Sequence, residues 1–107
     1  MEKYEVLEKL QDAAREIANL EKWLQSNGEN RLAEYACVWR LINFKVQKLI
    51  DTMPQTELEN ALTDLQLDLF SQAEYYREHK ITALQELYGA AMDGFIKTRN
   101  LISAYLQ

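Results

Sequence analysis

Between Arg31 and Met53 the side chains Leu32, Tyr35, Trp39, Ile42, Val46, Leu49 and Met53 follow one another at alternating steps of three and four. On a helix that spacing holds one apolar stripe toward one side. Ala36, Cys37, Val38, Leu41, Phe44 and Ile50 make the flanking faces apolar as well. A helix wet on one side needs only one stripe. The pattern therefore predicts a helix covered on at least two sides, at the centre of an all-α core. Three glycines and one proline in 107 residues are too few turn formers for a β-rich fold.

Three further helices are expected around it. Leu7, Leu10, Ala14, Ile17 and Leu24 form a seam over residues 3–26, widened by Val6, Ala13, Leu20 and Trp23; the charged seam position Glu21 suggests a wet end. Asn27-Gly28 suits a left-handed helix stop, and Asn30 suits the cap of the second helix, residues 31–53. Pro54 ends that helix, because the residue before proline avoids helical angles. Thr56 with Glu59 reads as a capping box opening a third helix over 56–79, with the seam Leu58, Leu62, Leu65, Leu69 and Tyr76. Thr82 with Gln85 reads as another, opening a fourth over 82–106 on Leu84, Tyr88, Ala91, Phe95, Ile102 and Tyr105. Gly94, four residues from Ala90, either admits a close backbone or, as Asp93-Gly94, makes a kink or turn.

The expected architecture is an all-α, antiparallel up-down four-helix bundle in one domain. The alternative is a helical hairpin plus one long C-terminal helix, since no glycine or proline falls between Gln55 and Tyr88. That version has to dimerise to cover its seam. Asn43, between Ile42 and Phe44, is read as a half-exposed amide; a buried one would fix register or oligomeric state.

Charge is unevenly spread. The net charge is −5. Residues 1–54 carry nine acids and eight bases, whereas residues 55–79 carry six acids and only Arg77. An acidic segment of this kind argues against direct contact with nucleic acid phosphates and for a basic protein partner. The longest apolar run, Ala36 to Trp39, is too short to span a membrane. The charged N-terminus lacks the apolar core of a signal peptide, and the lone Cys37, among apolar neighbours, is read as a buried thiol. A cytoplasmic location is expected.

Catalytic and cofactor patterns are hard to find. One histidine and one cysteine cannot make the usual zinc sites. His79 has Tyr76 three residues before it, so no Glu-x-x-His pair exists for a di-iron bundle. Magnesium-binding helical hydrolases need acids facing the bundle interior, whereas Glu57, Asp64 and Asp68 face away from the leucine seam. No phosphate loop or dinucleotide fingerprint occurs. No metal, cofactor or catalytic residue is assigned, and no enzyme is expected.

What remains is surface. Glu57, Asp64 and Asp68 share the outer face of the third helix, which closes on the polar and aromatic cluster Gln72, Tyr75, Tyr76, Arg77, Glu78 and His79. Tyrosine and arginine suit contact surfaces by combining apolar area with hydrogen bonds. The reading is an interaction protein that binds and masks or regulates a macromolecular partner, in the manner of an inhibitor, immunity protein or chaperone. Its candidate contact residues are Glu57, Asp64, Asp68, Tyr75, Arg77 and Glu78. A homodimer is the other partner considered. The alternative function is a small-ligand or nucleotide site between helices or at a dimer interface, lined by Tyr35, Trp39, Arg40 and Tyr88.

Overall fold

The computed structural model describes residues 1–107. Four long helices run up, down, up, down: α1 (Lys3–Ser26), α2 (Asn30–Thr52), α3 (Gln55–Glu78) and α4 (Thr82–Leu101). The four-helix bundle is thus built, and the single long C-terminal helix is not. The fourth helix is shorter than expected: it gives way at Ile102 to a one-turn α5 (Ser103–Leu106).

Two of the helix stops have the same design. After α1, Gly28 at φ 75° lets the Glu29 amide donate to Leu24 O at 2.9 Å. After α3, Lys80 at φ 58° lets the Ile81 amide donate to Tyr76 O at the same distance. A left-handed residue that turns the chain back onto its last carbonyls is what separates α3 from α4. Met53 is extended before Pro54, as the proline requires. The expected side-chain caps do not form. Glu29, Pro54 and Ile81 stand at the N-cap positions with no side-chain hydrogen bond. Asn30, Thr56 and Thr82 therefore lie inside the helices they were expected to cap.

The helices are not arranged as a closed square. α2 packs on α1 and on α4, and α3 packs mainly on α4. The order in space is α1–α2–α4–α3, with α2 and α4 parallel. The molecule is accordingly flat, 39 × 34 × 18 Å, and its radius of gyration of 14.6 Å exceeds the about 13 Å of a compact chain this long. One end is tight. Val6, Leu10, Val46, Ile50, Leu58, Leu62, Phe95 and Ile102 are all at most 1% exposed, and they come from the halves of α1, α2, α3 and α4 that meet there and from the residue that ends α4. At the other end the helices splay into pairs. Leu24, Ala33 and Ala36 join α1 to α2, while Tyr76 lies against Tyr88 between α3 and α4, with ring centroids 5.4 Å apart and planes tilted by 30°.

Helix α2 is covered on two sides as its pattern requires, but the stripe turns along its length. Ala33, Ala36, Ile42, Asn43, Val46 and Ile50 are buried, while Leu32 is exposed. On α1, Leu20 and Trp23 are exposed rather than part of the seam. Glu21 does hold a seam position, and it is half-buried against α2 while Lys22, Trp23, Gln25 and Ser26 around it are exposed. Arg40 Nε of α2 donates to its carboxylate at 3.1 Å. That bond holds the Arg40 guanidinium above its ordinary pKa. Cys37 is half-buried rather than enclosed, with Arg40 Nη2 3.7 Å from its sulfur.

Asn43 is fully buried, against the half-exposed reading. Its Nδ2 donates to Leu10 O across the α1–α2 interface at 3.0 Å, and its Oδ1 accepts from Gln47 Nε2 at 2.6 Å. This bond has one register only, so it ties α1 to α2 at a defined height.

Gly94 marks the closest approach of α2 and α4. A Cβ there would stand 2.9 Å from Trp39 Cδ1 and 3.2 Å from Trp39 Cα. The Asp93-Gly94 pair therefore serves a helix contact and makes no turn. Gly89, in the same helix, has nothing within 4 Å. The two glycines should respond oppositely to alanine. Gly89→Ala gains helix propensity, an increase of about 0.5–1 kcal/mol. Gly94→Ala makes the same gain but overpacks against a backbone atom, for a net loss of about 1–2 kcal/mol. Urea midpoints of the two variants, measured side by side, check the sign.

Candidate functional site

The splay of α2 from α3 leaves a groove of about 450 Å³ floored by α4. Val38, Leu41 and Ile42 line one wall, Leu65 and Leu69 the other, and Leu87, Tyr88 and Ala91 the floor. Its rims are charged: Lys45 on α2 and Asp68 on α3. Asp64, one turn from Asp68, is exposed on α3 outside the groove lining. Lys45, Asp64 and Asp68 take part in none of the six ion pairs within the chain. Leu41 stands on the α2 rim at 55% exposure, with Phe44 at 45% beside it. Leu41 lines the groove, whereas Phe44 borders a separate hollow against Leu7 and Gln11 of α1, with the Arg40 guanidinium 5.8 Å from its ring centroid. The excess of apolar residues around α2 was the signal for the exposed pair in the sequence; what covers each face was not.

Of the contact surface expected on α3, only Asp68 lines this groove. Glu57, Asp64, Asp68 and Tyr75 are all exposed and follow one another at steps of seven, four and seven, which places them on one stripe. Asp68 turns its side toward the groove. Glu78 lies near the top of the stripe. Arg77 does not join them. Two residues beyond Tyr75, it faces the opposite flank and binds the Glu74 carboxylate, with Nη2 2.6 Å away. That hydrogen bond lowers the Glu74 pKa and raises that of Arg77. Because the Glu74 carboxylate is favoured in the folded chain, its contribution is present above the usual carboxylate range and is lost as pH falls through its lowered value. Tyr75 stacks on His79, with centroids 4.1 Å apart, and meets Tyr76 edge-on. His79 Nδ1 lies 2.8 Å from Tyr75 O, so the histidine is held at the helix end.

The residues named for a small-ligand site are dispersed. Tyr88 lies in the groove floor, but the Tyr35 hydroxyl donates to Glu86 beside the Arg31–Glu86 ion pair, and Arg40 is committed to Glu21. Trp39 is pressed on Gly94, with Lys97 Nζ 5.4 Å from its ring, and its buried indole N–H has no partner. No three His, Cys, Asp or Glu side chains converge as metal ligands would. No helix is long and apolar enough to cross a membrane. Comparison with protein families, with curated proteins and with solved structures finds no match to this chain.

Proposed function

We propose that this chain is an acidic helical interaction protein, which binds and masks or regulates a macromolecular partner as an inhibitor, immunity protein or chaperone does. The observation that carries the reading is the open apolar groove between α2 and α3, with Leu41 55% exposed at its edge and Lys45 and Asp68 in its lining without ion-pair partners. A contiguous apolar surface ringed by polar groups is the usual mark of a contact site. The groove volume lies in the range of small-ligand pockets, but such pockets enclose most of their ligand. This one is open along its length, which favours an extended macromolecular surface over a small molecule.

The test uses the partner isolated by affinity from the cells that make the protein. Asp64→Lys with Asp68→Lys should leave folding intact, since both side chains are exposed and unpaired. The two reversals should weaken partner binding by about fivefold or more, two exposed ion pairs being at stake. Unchanged affinity in a calorimetric titration would remove the α3 rim from the contact surface.

A further inference from the structure

Of the three links between the long helices, only the one between α3 and α4 lacks a residue that breaks a helix. Gly28 supplies the left-handed turn after α1, and Pro54 bars continuation after α2. After α3 the same turn falls on Lys80, at φ 58°, a conformation that a residue with a Cβ disfavours. The turn also leaves backbone groups unmatched. The amides of Thr82, Ala83 and Leu84 donate to no backbone oxygen, and the carbonyls of Glu78, His79 and Lys80 accept from no backbone amide. In a continuous helix these groups, four residues apart, are one another's partners. The local chain therefore favours a straight helix through residues 79–81. The bend is imposed by the packing of α4.

That packing does not specify which copy of the chain supplies α4. We infer that the protein forms an exchanged dimer, in which residues 79–81 straighten and α4 and α5 of each copy dock on α2 and α3 of the other. The contacts needed are those already made within one chain. Gly94 meets Trp39, Tyr88 lies against Tyr76, and Arg99 stands 3.5 Å from Glu59. No new apolar surface has to be built, and the left-handed Lys80 is relieved in both copies. Because α3 and α4 are antiparallel neighbours in the hairpin, the two straightened helices lie antiparallel, with Lys80 of each copy near the two-fold axis. The α2–α3 groove is then shared between copies. Its walls, with Leu41 and Leu65, belong to one copy, and its floor of Leu87, Tyr88 and Ala91 belongs to the other.

The test refolds the full chain from urea at a series of concentrations and reads two quantities. Sedimentation velocity gives the monomer and dimer fractions. Pulsed electron paramagnetic resonance gives the distance between nitroxides on Glu57→Cys and Asn100→Cys, in a chain carrying Cys37→Ser and diluted with excess unlabelled chain. Within the single-chain bundle these two sites lie near each other, as the Glu59–Arg99 pair requires. One straight helix sets them about 65 Å apart. The expected result is a dimer fraction that grows with concentration and carries the long distance. Lys80→Gly eases the turn and weakens the straight helix. It should shift the equilibrium by about tenfold per hinge, hence raise the dimer dissociation constant about a hundredfold. Lys80→Ile, a β-branched residue at a positive φ, should move it the other way.

Three results would overturn the inference. A chain that stays monomeric at its highest concentration has no exchanged form. A dimer that keeps the short distance associates without opening its hinge. A Lys80→Gly dimer as strong as the parent would show that the turn does not control the exchange. The role of the groove toward another macromolecule is decided separately, by the partner titration and crosslinking.

Discussion

Asn43→Asp should cost about 3–5 kcal/mol at neutral pH, the range for a buried charge left without a partner. The two side chains have the same shape, so no cavity and no overpacking enter the comparison. What changes is the sign of the contact. The Asn43 amide is a donor to Leu10 O at 3.0 Å. An aspartate at that place turns a carboxylate oxygen toward a carbonyl oxygen, in a site with no exposure to water and no cation among its hydrogen-bond partners. Burial and the facing carbonyl both favour the protonated acid, which could donate to Leu10 O again. The folded variant therefore holds its proton to higher pH than the unfolded one. Its deficit should shrink as pH falls toward the ordinary aspartate range and grow as pH rises. Denaturation curves at two pH values read both effects. A variant as stable as the parent at neutral pH would mean that Asn43 is not buried.

Phe95→Ala should lose a similar amount, about 3–5 kcal/mol, for a different reason. Phe95 is the largest fully buried side chain, at 1% exposure, and it belongs to the cluster that draws on all four helices. The tight end of the bundle is small, and the truncation leaves a cavity in the only place where α1, α2, α3 and α4 share a core. A chain of this length has roughly 5–15 kcal/mol in total, so the variant should approach half-unfolded under mild denaturant. Phe70→Ala is the control, because Phe70 is 52% exposed on the outer side of α3. Its cost should fall well below that of Phe95.

Helical spacing carried a large part of this fold into view. The α3 seam of Leu58, Leu62, Leu65 and Leu69 is buried as its steps of three and four require. Each break between the four long helices falls where a glycine, a proline or a charged run marks it. Partners were less legible. Spacing tells which residues share a face, but not what lies opposite. Glu21 looked like the wet end of a helix because its cation, Arg40, is nineteen residues away on another helix. Asn43 looked half-exposed because its acceptor is a backbone carbonyl of α1, which no sequence pattern displays. The packing order α1–α2–α4–α3 is of the same kind. It depends on how closely Gly94 lets α4 approach Trp39, and it leaves α2 and α3 apart. The acidic stripe of α3 was visible in the sequence; that one of its members, Asp68, lines a groove was not. Arg77 shared a segment with that stripe but not a side of the helix.

The measurement that bears most directly on the proposed role is photo-crosslinking in the cells that make the protein. A benzophenone side chain is placed at Leu41, on the groove rim, and in a second variant at Phe70, on the far side of α3. Both positions are exposed, so both variants should fold. The expected result is a single macromolecular adduct from Leu41, absent from Phe70 and lost when Asp64 and Asp68 are reversed to lysine. Adducts from Phe70 alone, or from neither position, would contradict a docking surface at the α2–α3 groove.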